Sequence, residues 1–229
     1  MGRPLRPRRQ GRPRHPPRAD AGGRRPPAPA RPVRRRGSAR LVDDAFATPA
    51  ADHGLEDREG SAPDGLPERY LYSPDRVFRY AFGRWWGDVD LAKTAIWVLL
   101  NPATGDTDRR PRPTLNRCIA RSRALAANGL VIVNLFAFRH TDPKQLRAAD
   151  DPIGPANDEA LKVLTGAGLE TIAAWGAHGR LKGRSQEVAP LLSHPRCLGT
   201  TSRGEPRHPL YVAADAPLIP WTPASPIPV

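Results

Sequence analysis

Ala95-Ile96-Trp97-Val98-Leu99-Leu100-Asn101-Pro102 is the stretch from which the rest of the chain can be read. Six apolar residues run without a break and stop at an Asn and a Pro. A short apolar run closed by a turn signal predicts a buried strand. Proline has no N–H for a central ladder, so the chain leaves the sheet at Asn101. Asn101 and the loop from Ala103 to Asp106 then lie at the C-terminal end of that strand.

Three later runs end in the same way. Leu130–Val133 stops at Asn134-Leu135-Phe136, Glu170–Trp175 stops at Gly176–Arg180, and Arg196–Gly199 opens into Thr200–Pro209. Between them lie helical patterns. Leu115–Ala127 carries apolar residues at Leu115, Ile119, Leu125 and Ala126, with Thr114 as an N-cap and Asn128-Gly129 as a stop. Pro155–Leu164 opens with a proline, which suits a first helical position, and Arg184–Leu192 is the third. The aromatic run Val77–Phe82 predicts an edge strand. Strands alternating with helices imply parallel βαβ units. The expected fold is a three-layer α/β/α domain with a four-stranded, mainly parallel sheet. In such a sheet ligands bind at the edge formed by the strands' C-terminal ends.

Composition sets the outer limits. The chain has 229 residues and a formal net charge of +13. The first 40 residues alone hold 14 Arg and one acid, Asp20; the other 189 carry 22 basic and 22 acidic groups. The basicity therefore belongs to the tail, and the domain cannot be read as a nucleic-acid binder from charge. The tail also has nine Pro and few large apolar residues. Such a segment cannot bury enough surface to offset its ordering entropy, so residues 1–40 are expected to be disordered. Two readings of the tail stay open: an electrostatic arm for phosphates, or translated upstream sequence of a GC-rich gene. Residues 41–68 read as linker, 69–221 as one α/β domain and 222–229 as a Pro-rich extension.

No apolar run approaches the length of a membrane span, and no secretory h-region is present. Cys118 and Cys197 each sit in an apolar pattern without ligand spacing, which suits a reducing cytoplasm. The histidines are too scattered to argue a metal set. No phosphate-loop or dinucleotide fingerprint occurs, so no cofactor is expected. There is no Gly-x-Ser-x-Gly elbow either.

The strand ends carry the chemistry. They bring Asn101 and Thr104, then Asn134, Phe136, Arg139 and His140, then His178 and Arg180, then Arg207 and His208. Asn pairs a donor with an acceptor, an aromatic offers a stacking face, and Arg offers a fork for phosphate. Together they predict a pocket for a planar, hydrogen-bonding, phosphorylated group. Plainer roles stay open for single residues: Asn101 as a turn cap, Asn134 as a loop tie, Phe136 as core.

Leu100–Thr104, Val133–Pro143, Ala174–Gly179 and Gly204–Tyr211 resemble, in order, the sequence blocks of a bacterial and phage family, domain of unknown function 1643. The resemblance runs from about Tyr72 to Trp221. One departure is visible: Pro111-Arg112 precede Pro113-Thr114, where that family has acidic residues. More remotely, Leu100-Asn101-Pro102 and His208-Pro209 resemble two blocks of the uracil-DNA glycosylase superfamily, although Leu210 stands where that superfamily has Ser. The remote resemblance implies a four-stranded parallel sheet in three layers. It also implies that Asn101 places an attacking water, His208 steadies a leaving base anion and Phe136 stacks on a flipped base. Asn134 is then a reader of the base edge. The resulting expectation is a glycosylase-like hydrolase acting on modified bases in DNA or nucleotides. The alternative is a nucleotide or nucleic-acid binding module of the same fold without catalysis.

Overall fold

The computed structural model describes residues 36–104, 112–140 and 142–223, together with Gly2. Up to Arg35 the arginine-rich tail therefore lies outside the described residues, Gly2 apart, as does the end of the Pro-rich extension from residue 224.

Strand β4 (Thr94–Leu99) is buried at all six positions, and so is β5 (Gly129–Asn134). Both are apolar on both faces because both faces are covered, the pattern of a parallel sheet between helix layers. β4 pairs in parallel with β5 on one side and with β6 (Glu170–Ala173) on the other. β6 pairs in parallel with β7 (Arg196–Cys197). The four strands read from the sequence are thus neighbours, in the order β5-β4-β6-β7.

The sheet is nevertheless larger and mixed, which corrects the four-stranded expectation. Four further strands extend it to eight: β1 (Glu56–Ser61), β2 (Pro67–Tyr72), β3 (Arg79–Trp85) and β8 (Ile219–Pro220). β1, β2 and β3 form an antiparallel meander, and β3 docks antiparallel on β5. The aromatic run is therefore not an edge strand. β3 has a neighbour on each side, and Tyr80, Phe82 and Trp85 pack into the cores on its two faces.

The segment read as linker is also structured. Helix α1 (Arg36–His53) lays Val42, Ala45 and Phe46 into the core, where Phe46 meets Trp85 edge-on at 6.5 Å. Spacings of three and four residues put these side chains on one helical face, so the folded unit begins well before residue 69. Helix α2 (Pro113–Ala124) covers one face of the sheet through Leu115 and Cys118. Helices α1, α4 (Asn157–Ala167) and α5 (Arg184–Val188) contribute to the core on the other face; a short α3 (Pro143–Ala148) lies between β5 and α4 in the chain. Cys118 and Cys197 are buried free thiols. No helix among the described residues is long and apolar enough to cross a membrane.

Candidate functional site

The C-terminal ends of β4, β5 and β6 open into a cavity of about 930 Å³. That is the upper end of the size range of small-ligand sites. Because β3 runs antiparallel to β5, its first residue lies at this same edge: the Arg79 N–H donates to the Ala137 carbonyl, just beyond β5. Leu99 and Ile132 contribute the apolar base, and Phe82 and Arg79 one wall. The start of α2 forms a second wall. The turn after β6 and the closing loop bring Trp175, His178 and His208.

Asn101 leaves β4 with its carboxamide NH₂ committed. Nδ2 donates to the His140 carbonyl at 2.7 Å and, less well, to the Pro102 carbonyl at 3.4 Å. Two donors so used leave Oδ1 as the acceptor that can face a ligand or a water. Asn134 ends β5 at 1 % exposure, and neither its Oδ1 nor its Nδ2 has a hydrogen-bond partner. An unpaired buried amide costs about 1–3 kcal/mol. Asn134 lines the cavity, so a ligand entering it is the nearest source of partners.

His208 closes the opposite side. Its Nδ1 accepts the Leu210 N–H at 3.4 Å, capping the Pro209–Tyr211 turn. A neutral imidazole in that role carries its proton on Nε2 and can donate it. Burial holds its pKa below the usual 6.5, which favours this neutral form. Gly176 lets the β6 turn approach: its φ is +79°, and a Cβ there would come 3.2 Å from the His208 Cβ.

The buried Glu205 fixes the loop that carries His208. It accepts the Trp175 indole N–H at 2.7 Å and the Ser185 hydroxyl at 3.0 Å. Trp175 in turn packs edge-on against Trp221 at 4.9 Å. These contacts tie β6, α5 and the closing loop together.

Of the residues singled out in the sequence, Asn101, Thr104, Asn134, His178, Arg207 and His208 line this cavity. Four others do not. Phe136 is fully buried in the hydrophobic core and cannot stack on a ligand, which corrects that expectation. The β5 ladder stops at Asn134, so the alternation that would have set Phe136 beside Asn134 has ended. Arg139 donates to the Arg76 carbonyl at 2.7 Å, with its guanidinium 5.1 Å from the Tyr72 ring. His140 serves through its carbonyl, while its ring stacks against Phe138. Arg180 sits in the turn after β6 without lining the cavity. Arg207 lines the rim, exposed, and spends Nε on the Thr200 carbonyl at 2.9 Å.

Three contributors escaped the sequence reading. Arg79 and Phe82 come from a strand taken for an edge, and Arg112 from the Pro-rich approach to α2. Burial pushes the Arg79 pKa down to about 10; nearby Arg139 and Arg112 act in the same direction and Tyr72 against it.

Residues 79–210 match the family described as protein of unknown function (DUF1643). The chain belongs to this family. Its matched region begins at Arg79 and ends at Leu210, so it spans the cavity lining except for Tyr211. No curated protein and no solved structure matches this DUF1643 chain.

Proposed function

We propose that the cavity recognises a nucleobase and that the protein is a glycosylase-like hydrolase of modified bases in DNA or nucleotides. The observation that carries this is Asn134: a carboxamide with both hydrogen-bonding atoms unpaired, in the wall of a cavity that also holds an aromatic face. A base edge offers a donor beside an acceptor, which is what a carboxamide pairs with.

The chemistry follows from the two ends of the site. A water held by Asn101 Oδ1 attacks C1′ of the sugar as the C1′–N bond breaks. The bonding pair leaves with the base. The neutral His208 donates a hydrogen bond from Nε2 to the resulting anion; the attacking water, once bonded to C1′, releases a proton to solvent, and the anion takes one up from solvent. A pre-placed donor of this kind is worth about a hundredfold or more in rate. The remote resemblance of Leu100-Asn101-Pro102 and His208-Pro209 to uracil-DNA glycosylase blocks supports the same assignment.

One observation favours a second reading, recognition without chemistry. No carboxylate lines the cavity among the described residues, so Asn101 orients a water there without a visible base to take its proton.

Full-length protein incubated with uracil-containing, damaged and hypermodified oligonucleotides separates the readings. Release of free base, reduced about a hundredfold or more in Asn101→Ala and His208→Ala, is the expected result. Salt-tolerant binding that depends on Asn134, without release, selects the binding module. Neither binding nor release on any substrate or free nucleotide overturns both.

A further inference from the structure

Tyr211 is 78 % exposed, more than any other large hydrophobic residue among those described. Val77, Leu169 and Ile219 are also exposed, but of the four only Tyr211 lines the cavity. A single exposed aromatic needs no explanation by itself. This one stands on a backbone that is held on both sides. Before it, the Tyr211 N–H donates to the His208 carbonyl at 3.0 Å, the His208 Nδ1 caps the same turn, and Pro209 is buried. After it, Val212 packs against the core. Arg121 of α2 then donates to the Ala213 carbonyl and, at 2.9 Å, to the Ala216 carbonyl. A fixed turn thus presents a ring to solvent at the cavity mouth, 5.6 Å from the His208 ring. A tyrosine so mounted has only two side-chain torsions to order when it is covered.

Two exposed arginines accompany it. Arg207 lines the cavity and uses Nε on the Thr200 carbonyl, which leaves its terminal nitrogens to a ligand. Arg147 of α3 donates to the Nδ1 of His178, another lining residue, at 3.4 Å. Among the described residues neither arginine is paired with a carboxylate. The acids closest to them in the chain serve elsewhere or stand apart. Asp142 caps α3 through the Lys144 N–H at 2.8 Å, and Asp151 accepts the Ile153 and Gly154 N–H groups. Glu205 is buried against Trp175 and Ser185, and Asp215 interacts with Arg121. Asp150 is exposed and pairs with neither arginine.

We propose that Tyr211 is a stacking platform for a second base, so that the base read in the cavity belongs to a single strand of nucleic acid and not to a free nucleotide. Proteins that hold single strands combine aromatic faces for successive bases with cationic groups along the backbone. Tyr211 supplies the face, and Arg207 and Arg147 supply the charge for the phosphates beside it. A mononucleotide has one base, which Asn134 takes, and nothing is left to cover the tyrosine. The inference rests on the base-reading role of Asn134 for the first base.

The test uses full-length protein and two probes, deoxyuridine monophosphate and a deoxyuridine trinucleotide flanked by thymidines, followed by titration calorimetry. The trinucleotide is expected to bind at least about tenfold more tightly, the worth of one base–aromatic stack. Tyr211→Ala closes most of that gap and Tyr211→Phe keeps it. Neither changes the affinity for the monophosphate or the melting temperature, because the ring is exposed. Arg147→Gln weakens the trinucleotide at low salt, whereas Arg58→Gln, an exposed arginine elsewhere, does not. The arginine-rich tail is common to all variants and drops out of the comparison. A trinucleotide bound no more tightly than the monophosphate overturns the platform. So does a gain that survives Tyr211→Ala or is lost in Tyr211→Phe. Dimerisation that depends on Tyr211, with no gain from the flanking bases, assigns the ring to a second copy and also overturns it. Failure of the base reading looks different: Asn134→Leu then leaves both affinities unchanged while strand binding still depends on Tyr211. Monophosphate binding that needs Asn134, with no gain from the flanking bases, keeps the base reading and removes the strand.

Discussion

Gly179→Ala tests the lock behind the cavity. A Cβ at Gly179 would stand 2.0 Å from the Trp175 Cδ1, 2.3 Å from its Nε1 and 3.0 Å from the Glu205 Oε2. Carbon atoms rest at about 3.5 Å or more, so the indole must retreat by roughly 1.5 Å. It has nowhere to go: Trp175 is 1 % exposed, packed on Trp221 and hydrogen-bonded to Glu205. Overpacking of this kind costs about 1–3 kcal/mol. Losing the bond to a buried carboxylate adds about 1.5–3 kcal/mol. A destabilisation near 3 kcal/mol lowers the melting temperature by roughly 6–12 °C in a unit of this size. The control is Gly166→Ala in α4, where a Cβ meets nothing within 4 Å. There the alanine restricts the unfolded chain and raises stability by about 0.5 kcal/mol. Thermal melts followed by circular dichroism read both. A Gly179→Ala protein melting within about 1 °C of the wild type would refute the claim that Trp175 is rigidly held.

His208 has its pKa lowered by burial, so below pH 6.5 the unfolded chain takes up a proton that the folded one resists. Stability is expected to fall as pH drops below that value, and His208→Asn should flatten this part of a melting-temperature profile between about pH 5 and 8. Asn134→Leu replaces an unsatisfied amide by an apolar side chain of similar size, so it should raise the stability of the free protein by about 1 kcal/mol while abolishing base-dependent binding; thermal melts and titration calorimetry read the two effects separately. Arg184 is buried at 2 % exposure, donates to the Leu135 carbonyl at 2.8 Å and pairs with Asp158. Arg184→Ala removes all of this and should cost about 3 kcal/mol or more in urea unfolding.

What could be read from the sequence tracks how unambiguous the burial was. β4 and β5 are enclosed on both faces, so each appears as a long apolar run, whereas β6 opens with Glu170 and Thr171 and turns apolar only from Ile172. β1 and β2 were missed because Glu56–Ser61 holds no large apolar residue and Pro67–Tyr72 mixes charged and aromatic residues. They lie at the outer side of the sheet, where one strand edge stays open. α1 was missed for a different reason: its apolar side chains are few, and Pro49 lies inside the helix. Asn101, Asn134 and His208 were accessible because parallel strands deliver their C-terminal residues to one edge. Arg79 and Phe82 reach that edge by the start of an antiparallel strand, and only the pairing of β3 with β5 reveals it. Phe136 owed its stacking role to the remote glycosylase resemblance, whereas the structure places it in the core, the plainer of its two readings.

Asn134 and His208 divide the work under the proposed function. Burial lowers the His208 pKa, which favours the neutral imidazole, and its Nδ1 accepts the Leu210 N–H, so the proton on Nε2 is the one that can reach a ligand. A neutral donor is the better partner for a leaving base, because its bond strengthens as charge develops on the base and does not hold a resident anion. Asn134 offers an acceptor beside a donor, which a base edge pairs with whether or not the bond to the sugar breaks. Recognition therefore falls to Asn134 and the gain in rate to His208.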